Sequence, residues 1–321
     1  MEDYMTKKQK IKRIIKRLLS FLKRIFSSFY IALLKLKIVK PKMIVRMDGG
    51  ISSQMHQYLL GRIFREKGYM VTYDLSFYKK WAKDNNGHFE RNFDLLKAFP
   101  QLEFKQSNWI DSMAYSIYFA DKTDFFDHEE DDIFLYDLKP PKFLGGYYHS
   151  PSEVWRDLVP NYFRIDPQIL DSYSYALYAE IEKNIHSVGV HIRRGDLKVF
   201  NNAYGRPVDF DYFYKAISYI CSKIETPFFY FFSDEPQWIE DELIEKLPVI
   251  DGQYKIVNKN GSDKGYMDLF LLASCRHQIT SKGTFGKLAA LLKDSRDKIV
   301  ILSDDSIEYV WKKRLLNPVY L

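Results

Sequence analysis

Several short stretches of this chain hold the residue types that sugar-phosphate or nucleotide chemistry would need. The run Ser187–Ile192 (SVGVHI) is apolar enough for a buried strand, and His191-Ile192-Arg193-Arg194-Gly195-Asp196 spans its end. Adjacent arginines at a strand end suit an anionic ligand. A guanidinium is always charged and grips phosphate through two parallel hydrogen bonds. Gly195 lets the backbone turn or approach a ligand closely, and Asp196 would orient an arginine or accept a proton. A surface ion-pair cluster is the plainer reading of the same residues. An integrin-type Arg-Gly-Asp tripeptide fits poorly with a start buried in a strand. Ser233-Asp234-Glu235-Pro236-Gln237-Trp238 follows the apolar run Pro227–Phe232. It reads equally as ligand contacts or as a helix cap, with Ser233 or Asp234 capping and Pro236 near the first turn. Ser281-Lys282-Gly283-Thr284-Phe285-Gly286 joins a strand to a helix. Free amides, hydroxyls and glycine at a helix start bind phosphate, but the Walker spacing is absent. Asp209-Phe210-Asp211 has a metal-binding D-x-D pattern. Its place just before a helix at Tyr212 makes it a cap, and His128–Asp132 reads as a solvated acidic loop, so no metal is expected.

The elements that must position these residues follow from the apolar pattern. Met43–Met47 reads as a strand, Asp48-Gly49-Gly50 as a turn, Gln54–Lys67 as a helix and Tyr69–Tyr73 as a second strand. That is a βαβ opening. Residues 80–180 are aromatic-rich and read as irregular. A second α/β series then runs through strands at Ser187–Ile192, Pro227–Phe232, Gln253–Val257, Gln278–Ser281 and Lys298–Leu302. Helices are predicted at Tyr212–Ile224, Asp268–Ser274 and Phe285–Lys293. In open α/β sheets ligands sit beyond the carboxyl ends of strands, which is where the polar stretches fall.

The net charge of +6 is not a property of the whole chain. Residues 7–42 carry 13 Lys/Arg and no acid, so the remainder carries 6 − 13 = −7. A nucleic-acid footprint over the body is therefore not expected. Within residues 7–37, Ile11, Ile14, Ile15, Leu18, Leu19, Leu22, Ile25, Phe26 and Phe29 keep the spacing of one helical face, and Lys12, Arg13, Lys16, Arg17, Lys23 and Arg24 fill much of the rest. The longest uncharged run, Ile25–Leu34, is 10 residues, whereas a spanning helix needs about 20. An amphipathic helix on an anionic membrane face is the expectation. A packing helix with a solvated basic face, a polar tail and a nucleic-acid-binding segment are the alternatives. Cys221 and Cys275, far apart and the only two cysteines, are expected as free thiols.

Taken in order, these stretches resemble family 11 glycosyltransferases, the α-1,2-fucosyltransferases, over roughly residues 43–295. VGVHIRRGD looks like that family's H-x-R-R-G-D signature. FFYFFSDEPQW resembles its F-S-D-D/E strand end, and MDLFLLASCRHQIT its D-[ML]-x-L-M-S-x-C-x-H-x-I-I run. GGISSQMHQYLLGR and Gly146-Tyr147-Tyr148-His149-Ser150 are similar to two further family stretches. Departures are Ser52-Ser53 for Gly-Asn, His149 for glutamine, and Ser281–Leu288 for a run with two tryptophans.

The resemblance implies an α/β GT-B-like fold, with two Rossmann-like domains facing a cleft, preceded by the basic amphipathic helix. The expected divisions are 1–42, 43–180 on the acceptor side, and 181–321 holding the donor. It implies inverting transfer of fucose from GDP-fucose to a galactoside hydroxyl in α-1,2 linkage on a surface glycan or lipid-linked oligosaccharide. Arg193 and Arg194 would bind the diphosphate, with Arg194 and Asp196 as the catalytic candidates. His191 and Asp268 would contact the nucleoside. Asp234, Ser281, Thr284 and Phe285 would complete the donor site, and Gly49, Gly50 and Gln54 would line the cleft from the first domain. No cofactor and no metal is implied, nor any nucleic acid. A bacterial enzyme held peripherally on the cytoplasmic face of the inner membrane, through residues 7–37, is the expected setting. A GT-B enzyme using another nucleotide sugar and a non-catalytic nucleotide-binding protein at the membrane surface are the rival readings.

Overall fold

The computed structural model describes residues 7–80, 82–84, 89–121, 137–145, 152–199, 205–248, 252–303 and 311–321. The stretches 146–150 and 128–132 singled out above lie outside these residues.

The chain forms two parallel α/β units. The first is built on α1 (Lys7–Lys35), β1 (Met43–Arg46), α2 (Ile51–Glu66), β2 (Val71–Asp74), α3 (Ser76–Lys80), a short antiparallel hairpin of β3 (Lys83–Asp84) and β4 (Phe89–Glu90), α4 (Leu95–Ala98), α5 (Trp109–Tyr118), β5 (Lys142–Leu144) and α6 (Ser152–Tyr162). Its sheet order is β2-β1-β5, with Met43 level with Val71 on one side and Lys142 on the other. Parallel bridges at Tyr73–Gln106 and Ala120–Phe143 extend both edges. The region expected to be irregular holds real helices. Asn108 caps α5 by accepting from the amide of Asp111, and Asp171 caps α7 (Ser172–Lys183) by accepting from that of Ser174. The aromatic composition of this stretch hid its helical periodicity.

The second unit follows with β6 (Ser187–Ile192), α8 (Gly195–Val199), α9 (Phe210–Lys223), β7 (Phe228–Ser233), α10 (Pro236–Trp238), β8 (Tyr254–Val257), α11 (Gly265–Ser274), β9 (His277–Thr280), α12 (Thr284–Leu292), β10 (Val300–Leu302), α13 (Trp311–Arg314) and β11 (Pro318–Tyr320). The sheet order is β11-β10-β9-β6-β7-β8, all parallel. Numbered from β6, this is the doubly wound order 3-2-1-4-5-6, which changes direction between β6 and β9. Register places His191 beside Phe232 on one neighbour and Thr280 on the other. The D-x-D stretch is indeed a cap, since Asp209 accepts from the amide of Tyr212 at the start of α9.

One apolar core runs through both units. Phe99 of the first meets Phe270 of α11 with ring centroids 5.4 Å apart, and α2 packs on α12. Helix α7, which crosses the expected division at 180, packs on α11. The chain then returns, because α13 packs on α6. Buried Arg314 lies over the rings of both Trp155 and Trp311, at 4.8 and 5.0 Å.

Helix α1 divides into two parts. Residues 11–26 are exposed on every side, while Ser27 and Tyr30 are buried against α5, Ile44 and Phe143. Among the described residues no helix is long and apolar enough to cross a membrane. Cys275 is buried, Cys221 is exposed, and both are free.

Candidate functional site

The period of two along β6 decides what its last residues can touch. Gly189, His191 and Arg193 face α11 and α12. Val188, Val190 and Ile192 face the core beneath α9, and Arg194 continues that face. The two adjacent arginines therefore serve opposite sides of the sheet.

On the α12 side the residues converge. The Arg193 guanidinium forks onto Asp196, Nε to Oδ1 at 2.9 Å and Nη2 to Oδ2 at 2.6 Å. Its backbone amide donates to Ser281 Oγ at 2.8 Å, and the Ser281 amide donates to the His191 carbonyl at 3.0 Å. The His191 ring stacks on Phe285, with centroids 5.3 Å apart and planes 29° from parallel. Burial, reinforced by Lys287 and Arg193, pushes the His191 imidazole down to about 3, so it is neutral at physiological pH. Two glycines make this approach feasible. Gly283 has φ +93°, and a Cβ there would sit 2.2 Å from Arg193 Nη1. A Cβ on Gly286 would lie 2.8 Å from His191 Nδ1. Buried Lys287 donates to the carbonyls of Ser281 and Gly283, at 3.1 and 2.8 Å, and so holds the loop in shape. This is the strand-end, helix-start arrangement expected to hold an anion, at the switch point of the sheet.

On the other side, Arg194 stacks over Trp238, its guanidinium carbon 3.5 Å from the ring centroid, and pairs with Glu235 at 3.4 Å. Asp234 receives the amides of Arg194 and Gly195, at 3.0 and 2.9 Å. Each of its oxygens accepts from one backbone amide, so Asp234 shapes the loop. Ser233 Oγ accepts from the amide of Glu235 at 3.0 Å. The stretch after β7 thus supports the backbone after β6, whereas the helix that follows it, α10, has Glu235 at its N-cap position and no side-chain cap.

Asp196 is held in an ion pair with Arg193. Burial raises its carboxyl, but the Arg193 fork and the nearby charge of Arg91 outweigh this and leave it below the ordinary value. Both its oxygens are bound by Arg193, which is the arginine-orienting arrangement, one of the two expected for it. Gln54 does not line the cleft. It is fully buried, its Oε1 receives the amides of Asp94 and Leu95, and its Nε2 donates to the carbonyls of Gly49 and Asn92. Four backbone partners exhaust the amide. Gly49 also accepts from the Tyr78 hydroxyl at 2.9 Å. A Cβ on Gly50 would lie 3.9 Å from Arg91 Nη1. Arg91 thus stands beside Gly50 in the first unit and acts electrostatically on Asp196 in the second. Arg91 and Lys287 belong to the site but fall outside the roles that the motifs assign. Lys287 had a signal, four residues after Gly283 at the first turn of a helix, but Arg91 sits in a stretch without periodicity.

Asp268 lies on α11 with its carboxylate accepting from Asn260 at 2.7 Å, and Asn260 in turn accepts from the Ser174 hydroxyl at 3.2 Å. Burial pushes Asp268 up to about 7, against the lowering effect of Asn260. Thr284 opens α12 directly after Gly283.

Comparison with known proteins bears on this arrangement. The family described as Glycosyl transferase family 11 matches residues 117–312. The chain is 27% identical over 164 residues to the O-antigen biosynthesis glycosyltransferase WbnK of Escherichia coli, covering 49% of this chain and 53% of that protein. It is 33% identical over 149 residues to galactoside alpha-(1,2)-fucosyltransferase 1 of Rattus norvegicus, covering 46% and 38%. The chain thus spans about half or less of the length of these curated relatives. Among solved structures, NodZ alpha-1,6-fucosyltransferase co-crystallized with GDP aligns at TM-score 0.43 and 16% identity over 79% of this chain and 93% of that one. A family 9 glycosyl transferase from Veillonella parvula aligns at 0.46 and 8%, over 88% and 86%.

Proposed function

Because the chain belongs to glycosyl transferase family 11, we propose that it is an inverting glycosyltransferase of GT-B type that moves fucose from GDP-fucose to a galactoside hydroxyl in α-1,2 linkage. The acceptor is a surface glycan or a lipid-linked oligosaccharide. The name of the Rattus norvegicus relative supports the sugar and the linkage. The observation that carries the reading is Arg193, fixed by Asp196 and aimed over Gly283 at the strand-end switch point between β6 and β9.

An acceptor hydroxyl attacks the anomeric carbon as the nucleoside diphosphate leaves, and negative charge grows on the diphosphate. A cation held rigidly beforehand stabilises that charge without reorganising, which is where binding becomes catalysis. Arg193 supplies the cation, and the Asp196 fork removes its rotational freedom. Gly283, Thr284 and the following amides of α12 add oriented N–H dipoles. Neutral His191, stacked on Phe285, offers hydrogen bonding to the nucleoside without a competing charge. Arg91 closes the cationic set from the first unit. On this reading the arginines do the work of a metal, and chelation leaves the rate unchanged.

The test is GDP release from GDP-fucose with EDTA present. Wild type should release GDP, and Arg193→Ala should lose about 10²–10³-fold in kcat. Wild-type silence with GDP-fucose but turnover of another nucleotide sugar would move the assignment to a different donor. The altered loop at 281–288, with Lys287 bonded to its carbonyls, is the observation favouring that second reading. Nucleotide binding with no turnover of any donor would support the binding-only protein. The proposed setting is the cytoplasmic face of a bacterial inner membrane, reached through the basic helix α1.

A further inference from the structure

The apolar residues of α1 are not the only ones turned outward on that side of the molecule. Along α1, Ile11, Ile14, Leu18, Leu22, Ile25 and Phe29 are 41–65% exposed. The residues that dock α1 on the body, Ser27, Tyr30, Ile31 and Leu34, occupy the opposite arc of the helix. Tyr30 meets Tyr115 edge to face at 6.2 Å, and Ser28 and Tyr118 share a hydrogen bond at 2.8 Å. The helix is therefore held at a set rotation, with its stripe facing away from the protein.

Helix α5 repeats the pattern. Both α1 and α5 pack on Ile44 and Phe143, so both lie on the same face of the first sheet. α5 buries Asp111, Ala114 and Tyr115 and exposes Trp109, Ile110 and Ile117, at 68%, 40% and 44%. Its single acid, Asp111, is turned inward and paired with Lys42. Neither helix presents a carboxylate to the outside, while α1 carries its Lys/Arg residues without an acid. Exposed apolar surface framed by unbalanced positive charge matches an anionic bilayer, which offers a hydrocarbon boundary under negative headgroups. A protein partner would need acidic groups set to individual cations. A second copy would bring like charge against like.

We propose that α1 and α5 together form one membrane-docking face for an anionic phospholipid bilayer, with Trp109, Ile110 and Ile117 inserting beside the α1 stripe. α2, on the other face of the same sheet, contacts α12. The mount therefore holds the first unit against the lipid and leaves the donor-binding unit on the aqueous side. This extends the membrane setting proposed for α1 but does not depend on the donor, because the assay contains none.

The test uses the full chain and vesicles of phosphatidylglycerol and phosphatidylcholine, compared with phosphatidylcholine alone. Wild type should sediment with the anionic vesicles only. The double variant Trp109→Glu/Ile117→Glu should bind them about 10-fold or more weakly, since two large apolar side chains leave the interface and two like charges enter. Both positions are exposed, so its thermal unfolding should match wild type. Brominated lipid should quench wild-type fluorescence more than that of Trp109→Phe. Equal vesicle binding by wild type and the double variant, or equal quenching of wild type and Trp109→Phe, would overturn the proposal. So would a wild-type dimer in solution that Trp109→Glu dissociates.

Discussion

The two sides of the second sheet at the end of β6 receive the same residue type and use it differently. Arg193 enters the side of α11 and α12, where it meets a carboxylate fork, a serine hydroxyl and a glycine with no Cβ. Arg194 enters the side of α9 and α10, where it lies flat on an indole and against Glu235. One arginine is held at the switch point with its neighbours drawn back. The other is packed as part of the wall, because a strand sends successive side chains to opposite faces. The difference teaches that a repeated residue in a motif need not mean a repeated role.

The sharpest way to break that comparison is to truncate each arginine in turn. Arg193→Ala should cost the loss in kcat already given, and Arg194→Ala tenfold or less (about 1.4 kcal/mol). Equal losses measured by GDP release would show that both arginines act on the donor. Gly283→Ala comes next. It forces an L side chain to φ +93° and drives a methyl into the Arg193 guanidinium, so kcat should fall by about 10²-fold if the strain and displacement together cost ~3 kcal/mol. A fully active Gly283→Ala enzyme would remove the loop from the mechanism. Asp196→Asn should lower kcat by about 10-fold, from the loss of one charge-assisted hydrogen bond worth ~1.5 kcal/mol. It should leave the pH–rate profile in place. A profile that loses its acid limb would restore Asp196 as the proton acceptor.

The smallest expected effect concerns Asp268, whose carboxyl titrates at about 7 because it is buried. If its charged form receives the base of the nucleotide, affinity for GDP weakens as pH falls through 7. Asp268→Asn should flatten that dependence in calorimetry between pH 6 and 8. Stability has the opposite sign. The unfolded chain releases this proton near the ordinary carboxyl value and the folded chain only near 7, so stability falls as pH rises between them. Asp268→Asn should therefore raise Tm at pH 8, by about 2–4 °C for each kcal/mol recovered.

Much of the second unit could be read directly from the chain. Its strands and helices begin and end within a few residues of the apolar runs, because fully buried parallel strands are continuous apolar stretches. Asp209 was legible as a cap, since the bond it makes spans only three residues. Gln54 was not legible as a buried lock. Its partners Asn92, Asp94 and Leu95 lie about forty residues away, and a glutamine near a glycine turn looks the same whether it faces ligand or backbone. For Asp234 and Asp196 the sequence left two readings each, for a related reason. Local spacing shows which carboxylates are near arginines but not how many of their oxygens are already taken.

By itself the sequence determined the strand and helix pattern of the second unit, the basic amphipathic segment, and the presence of an arginine pair where a parallel strand ends. All of these follow from periodicities and short-range bonds within a few residues. Only the tertiary structure decided that Arg193 and Arg194 part company. Likewise it alone bound both oxygens of Asp196 to Arg193, put Arg91 beside Gly50, and gave α1 a fixed rotation against α5. Each of these depends on which distant surfaces meet, and that is set by packing the two units around one shared core.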